Sequence, residues 1–359
     1  MKAMIRIGVV ILVIFLIGFY NGPSFQENEE LENEPFSVDS NDNAEIPDSD
    51  GLTRPKSGVS VYIGKNVKDL VDEYGEPVRM DPGRNGLTWY IYQSENGYMQ
   101  TAVKDDVVKA LFVMGSAYDS TPYFSGQSVQ DIYQFTMINS EIIVEDDGRV
   151  YQLELSEQDL HTRLLVQFED IYAQLMIDSV SNNLMGVYYL DKETLLDQQP
   201  YEGSVEGGPL ADQDQLILDE VNKANERQMF DIVNFIRERN GLNELIWDDQ
   251  LAEAARSLSQ TREQLSAESS EETIGLSDRL DILDRSYQSA AENTASQYYL
   301  TPAVVHGWLN SESHRDTMLD DEFTHTGSGV YGSYYTQDFV QFDEEDVDDE
   351  DDALSAQSE

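Results

Sequence analysis

Ala291–Leu319 reads AENTASQYYLTPAVVHGWLNSESHRDTML. It gathers a glutamate, two histidines and a tryptophan in a chain with only four histidines. Thr301-Pro302 is an N-cap followed by proline at the first helical position, where the missing N–H has no partner to lose. A helix is expected from there through Trp308, and SESHRDTML reads as a shorter one. Upstream, DQLILDEVNKANERQMFDIVNFIRERNG places Ile217, Val221, Ala224, Met229, Ile232, Val233 and Ile236 at helical spacing, and Gly241 ends the helix. WDDQLAEAARSLSQTREQL is the next helix, with Asp248 as N-cap and Leu251, Ala254, Ala255 and Leu258 facing inward. Downstream, GSGVYGSYYTQDFVQF alternates and carries aromatics, so a strand pair turning at YGS is expected. Helices flanking a small antiparallel sheet make an α+β domain.

The chain has 359 residues, with 22 Lys+Arg against 70 Asp+Glu and a formal charge of −48. Nucleic acid and anionic lipid surfaces need clustered cations, so this balance argues against both as partners. With no cysteine, disulfides, thiolate catalysis and Cys-ligated zinc are excluded. Lys2 and Arg6 precede an apolar run, Ile7–Tyr20. Fourteen helical residues span about 21 Å against a hydrocarbon core of roughly 30 Å. Counting from Ala3, with Arg6 snorkelling, brings the run near spanning length. Residues 1–22 are therefore a signal peptide or a membrane anchor. Either places the rest of the chain extracytoplasmically, anchored through residues 3–20 or secreted after cleavage.

Residues 23–56 read as a disordered acidic stalk, 197–212 as a linker with glycines and prolines, and 343–359 as a disordered acidic tail. Two blocks remain, 57–196 and 213–342. The first is expected to be a smaller mixed α+β domain. VKDLVDEYG ends a helix at Gly75, and LTWYIYQ and VVKALFVMG are strand-like. GKNVKDLVDEYG (64–75) is echoed by GQSVQDIYQFTM (126–137), and VVKALFVMG (107–115) by NLMGVYYLD (183–191). Two copies of a helix-plus-sheet unit would explain this echo; chance similarity would too.

The second block resembles the CAP superfamily (cysteine-rich secretory, antigen 5 and pathogenesis-related proteins, or SCP domain) in its bacterial form. The resemblance rests on NERQMFDIVNFIRERNGLNELIWDDQLAEAARSLSQ, AENTA, VVHGWLNSESHRDTMLDDEFTHTGSGV and YYTQDFV. The first block looks like the CAP-associated N-terminal domain of Gram-positive bacteria, through VKDLVDEYGEPVRM, WYIY and GQSVQDI. The resemblance implies an α–β–α sandwich whose cleft, in many members, carries two histidines and two acidic residues able to hold a divalent metal. Glu292 matches the family's GEN glutamate and His314 the histidine of the bacterial SPGHR motif. Ala267 stands at the other histidine position and Ser311 at the other acidic one. One imidazole and one carboxylate make a poor zinc site, since catalytic zinc takes three protein ligands. Glu268 or His306 could compensate only if the fold brings them in.

The sequence therefore supports an extracytoplasmic binding module at the cell envelope with no cofactor, its ligand an envelope protein, glycan or lipid. The alternative is a metal-dependent hydrolase using Glu292 and His314 as zinc ligands or as an acid/base couple. A structural reading stands beside both, in which Glu292 and His314 bond each other and pin the loop before the third helix to the fourth. Trp308 and Trp247 are expected as core anchors. His306 is expected as a surface or semi-buried helix residue, and His325 in a turn before a strand. His161 has no partner signal.

Overall fold

The computed structural model describes residues 24–33, 52–205, 208–209, 219–268, 274–283 and 285–343. The candidate signal or anchor (1–22), residues 34–51 of the expected stalk, most of the linker, and the tail from 344 lie outside the described residues.

Two short strands come first, β1 (Ser24–Glu27) and β2 (Leu31–Glu32). They lie within the expected disordered stalk and correct that expectation, because both pair with the C-terminal domain's sheet. In the first domain, α1 (Val67–Tyr74) is N-capped by Asn66 and closed by Gly75 at φ 83°. β3 (Arg79–Pro82), β4 (Thr88–Ser94), β5 (Gly97–Lys104) and β6 (Val107–Gly115) follow as a meander. After α2 (Val129–Phe135) come the hairpin β7 (Glu141–Asp146) and β8 (Arg149–Glu154), and then α3 (Glu157–Thr162). A second meander, β9 (Arg163–Phe168), β10 (Ile171–Asp178) and β11 (Asn183–Asp191), leads to α4 (Lys192–Gln198) and to β12 (Glu202–Val205) and β13 (Gly208–Pro209). One sheet runs β3-β4-β5-β6-β11-β10-β9 and the other β13-β12-β8-β7. Two expectations are corrected here. With two sheets this domain is not the smaller one. The expected linker from 197 also begins inside it, because β12 pairs with β8 and the Tyr201 hydroxyl donates to the Arg163 carbonyl at 2.8 Å.

The internal echo is a structural repeat. Gly64 N–H donates to the Val108 carbonyl and Gly126 N–H to the Leu184 carbonyl, at 2.8 and 2.7 Å. Val67 N–H and Val129 N–H reach the carbonyls of Asp106 and Asn182 at 2.8 and 3.0 Å. Asn66 and Ser128 cap the two helices and bridge to Val107 and Asn183, the first residues of β6 and β11. Those two strands pair at the centre of the seven-stranded sheet. Each copy thus places its last strand beside the other's, which removes two free sheet edges.

The second domain runs α5 (Asp219–Arg239), β14 (Ile246–Trp247), α6 (Asp249–Glu268), α7 (Leu276–Ile282), β15 (Tyr287–Ser296), α8 (Thr301–Leu309), α9 (Glu312–Met318), β16 (His325–Tyr331) and β17 (Tyr334–Phe342). Its sheet is ordered β1-β15-β17-β16-β14, with β2 also on β15. Side chains alternate across the pleat. Ala291, Ala295, Phe339 and Val330 join the core formed with α5 and Trp308, while Ala290, Val340 and Phe342 pack with Leu251 of α6 and Leu276 and Leu280 of α7. A Cβ at Gly329 would lie 1.9 Å from the Arg256 amide nitrogen, so only glycine lets α6 sit this close. The result is the expected α–β–α sandwich.

The two domains share one apolar cluster, in which Tyr98 and Phe112 join Phe235 and Ile236. Polar contacts fix their docking. Arg315 makes two bonds to Asp178, at 2.9 and 3.1 Å. Ser179 N–H donates to Asn310 Oδ1 at 2.8 Å, and Arg79 bonds Asp231 at 2.7 Å.

Candidate functional site

Glu292 was expected in a loop; it sits in β15, inside the sheet. Two rows of polar side chains cross the strands here, one on each face. On the α6–α7 face the register aligns Glu27, Glu292 and Asp338, on β1, β15 and β17. One residue further along, on the α8–α9 face, lie Asn28 (just past β1), Asn293, Gln337 and Ser328.

The acidic row is closed by Arg279 from α7. Its guanidinium pairs with the Glu292 carboxylate and lies 3.3 Å from Asp338 Oδ1, while a further donor reaches the Ile274 carbonyl at 2.9 Å. All three side chains are buried, Asp338 completely. Burial, reinforced by the neighbouring Glu292 carboxylate and opposed by Arg279, pushes Asp338 well above the usual carboxylate range. Arg279 thus sets one guanidinium beside two buried carboxyl groups. Glu27 completes the row by accepting from the Leu276 N–H.

His314 belongs to the other face. Its Nδ1 is 2.8 Å from Ser311 Oγ, and its ring lies parallel to the Trp308 indole at 6.4 Å. Its Nε2 is buried without a hydrogen-bond partner among the described residues. Burial lowers the His314 pKa, and the carbonyls of Glu29 and Thr294 work in the opposite direction. The side chain that reaches α9 from β15 is Asn293, whose Nδ2 donates to the His314 carbonyl at 2.9 Å. Glu292, its neighbour along the strand, points the other way. The described bonds of Glu292 and His314 thus go to different partners, Arg279 and Ser311.

The remaining expected residues are dispersed. Trp308 is fully buried and donates to the Thr294 carbonyl at 3.2 Å, as a core anchor should. Trp247, in β14, bonds Asp249 at 2.9 Å and meets Phe230 edge-on. His325 is not in a turn; it is the first residue of β16, buried edge-on to Phe342 with Nδ1 2.8 Å from Thr324 Oγ1. His306 is not on a surface. It is buried at the domain junction, with Nε2 2.9 Å from the Ile177 carbonyl, and burial lowers its pKa to about 4. His161 is exposed at the end of α3. Ala267 and Glu268 end α6, and their side chains lie outside the described residues. Among the described residues, no group of three or more His, Asp or Glu side chains is arranged to hold a metal. Arg279 and Asn28 escape sequence reasoning, since nothing in DRLDILD or FQENEE marks them, and Asn293 and Asp338 lie inside AENTA and YYTQDFV without being singled out there.

Residues 63–201 match the CAP-associated N-terminal family and residues 230–342 the Cysteine-rich secretory protein family, CAP. A Bacillus subtilis (strain 168) protein named Uncharacterized membrane protein YlbC is 32% identical over 350 residues, covering 95% of this chain and 99% of that one. The chain belongs to the CAP family. Among solved structures, this CAP protein is similar to a cysteine-rich secretory protein from Staphylococcus aureus subsp. aureus Mu50, with 27% identity, 88% of this chain and 100% of that one covered, and a TM-score of 0.75. It is also similar to an extracellular protein containing a SCP domain from Bacillus anthracis str. Ames, with 33% identity, 84% and 99% covered, and a TM-score of 0.73. In this CAP domain Glu292 is tied to an arginine, and the edge of β15 is covered by the chain's own residues 24–33.

Proposed function

We propose that this CAP protein is an extracytoplasmic binding module of the cell envelope, anchored or secreted, that recognises a ligand without transforming it. One observation carries the reading. The Glu292 carboxylate is committed to Arg279, a cation that also lies 3.3 Å from Asp338 Oδ1. The residues present do not fit a zinc centre. His314 belongs to the opposite face of the sheet, its Nδ1 is taken by Ser311, and no third ligand adjoins it among the described residues. An acid/base couple fails on the same geometry, because both groups must come within hydrogen-bond reach of one bound substrate and these two lie on opposite faces of the sheet. The names of the relatives, a membrane protein and an extracellular protein, support the placement outside the cytoplasm. Among the described residues no helix is long and apolar enough to cross a membrane, so an anchor falls to residues 3–20. The acidity of the chain argues against nucleic acid or an anionic polymer, either of which would need clustered cations.

The rival reading, a metal-dependent hydrolase built on Glu292 and His314, is separated by zinc titration calorimetry on the intact protein. The expected result is no saturable heat at micromolar zinc. Micromolar or tighter binding that disappears in His314→Ala would reverse the conclusion.

A further inference from the structure

The free edge of β15 does not face solvent. Residues 24–33 run along it in parallel, with Ser24 to Glu27 in register with Ser289 to Glu292, and Leu31 and Glu32 with Ala295 and Ser296. Main-chain bonds hold both ends: Asn28 N–H donates to the Glu292 carbonyl at 3.3 Å and Asn33 N–H to the Ser296 carbonyl at 3.1 Å. Between them the segment passes His314, near which the Glu29 carbonyl lies. The side chains are received individually. Asn28 is buried, and its amide nitrogen lies 2.8 Å from Asn293 Oδ1, 2.9 Å from Thr317 Oγ1 and 3.3 Å from the Ser313 carbonyl. Glu30 pairs with Arg262 at 2.6 Å. Leu31 packs on the shared core over Gly307, where a Cβ would stand 2.9 Å from its methyl group. This is the anatomy of strand addition: backbone pairing gives affinity and separate side-chain sites give selectivity.

We propose that this edge is a peptide-recognition groove for an extended acidic segment of the pattern Glu-Asn-x-Glu-Leu, and that residues 24–33 are its tethered occupant. The groove admits a segment from another protein only when the tether leaves. The inference rests on the reading of the cleft as a binding site and names its ligand class. The selectivity comes from the carboxamide. An apolar residue at the Asn28 position would leave the buried Asn293 Oδ1 and Thr317 Oγ1 without their donor, an unfavourable desolvation, so such a segment is rejected. The tether explains why the groove is closed at rest. A segment joined to the same chain presents itself at an effective concentration in the millimolar range, which micromolar free peptide cannot match.

The test uses the full chain in detergent micelles and a fluorescent peptide, SFQENEELEN, copied from residues 24–33. The tether is weakened by Asn28→Lys with Leu31→Asp, which leaves every groove residue intact. The peptide is expected to bind this variant about tenfold or more tighter than the unaltered chain. Two controls should abolish binding, a peptide carrying leucine for its asparagine and the further substitution Arg262→Glu. Binding to neither protein, or equal binding of the leucine peptide, overturns the inference. Because the chain lacks cysteine, Ser24→Cys with Ser289→Cys reports where the tether sits. A disulfide within one chain supports the proposal; disulfide-linked dimers overturn it in favour of strand exchange between two copies. Cleavage of the bound peptide would instead overturn the binding-only reading, so the two failures are distinguishable.

Discussion

Arg279 decides what Glu292 can do. Buried ion pairs gain little when whole, but removing one partner strands the other charge, at about 3–5 kcal/mol. Arg279→Leu should therefore lower unfolding stability by about 3–5 kcal/mol, read from urea denaturation. A loss below about 1 kcal/mol would mean the pair is solvated, as exposed pairs are. His306 supplies a second residue-scale prediction. Its pKa falls from 6.5 to about 4 in the folded protein, because burial disfavours its charged form and the nearby Arg163 adds to this, while Asp178 and the Ile177 carbonyl oppose it. The folded state thus binds fewer protons than the unfolded one. The stability contributed by neutral His306 is present above pH 6.5 and is lost as pH falls towards 4, at about 1.4 kcal/mol per unit. Between pH 7 and 5 the unaltered chain should lose about 2 kcal/mol more than His306→Gln; equal losses would assign the acid sensitivity to other groups.

Elements differ in how openly the sequence declares them. α5 and α6 were legible because their apolar positions keep helical spacing and their ends carry signals. Gly241 has φ 76°, and Asp248 Oδ1 accepts from the Leu251 N–H at 2.9 Å. β15 was not legible. QSAAENTAS is built of small polar residues that strands usually avoid, and its inner faces hold ion pairs and amides instead of a hydrophobic alternation. Residues 24–33 were hidden for the same reason, since an acidic stretch reads as a solvated tail until its partners are visible. The site followed this divide: Glu292 and His314 were marked by motif, whereas Arg279 lies in a stretch with no periodic signal. The covering segment gives an element-scale prediction. Gly307→Ala adds helix propensity of about 1 kcal/mol and thrusts a methyl against the Leu31 side chain and the Tyr298 hydroxyl. The end of the Leu31 side chain can move away, so the covering segment gives way before the helix does. Hydrogen exchange at Asn28 and Asn33 should accelerate while the global unfolding midpoint changes little. Unchanged exchange at those amides would show that the contact is slack.

For the whole molecule, the shared apolar cluster and the Asp178–Arg315 and Arg79–Asp231 pairs join two domains into one body. Full-length protein should unfold in a single transition, and Arg315→Met with Asp231→Asn should separate it into two. Two transitions in the unaltered chain would contradict this coupling. The net charge of −48 acts at the same scale. Self-repulsion among surface carboxylates is screened within about 10 Å at 0.1 M salt and about 3 Å at 1 M. Raising sodium chloride across that range should raise the melting temperature, and a fall would show that attractive surface pairs dominate. The central claim is that Arg279 occupies the carboxylate site of the CAP domain, which recognises instead of reacting. Its most direct measurement is elemental analysis of the protein purified without chelator or added metal salts. The account predicts transition metal far below one equivalent per chain. A stoichiometric metal, lost in both Glu292→Gln and His314→Ala, would contradict it.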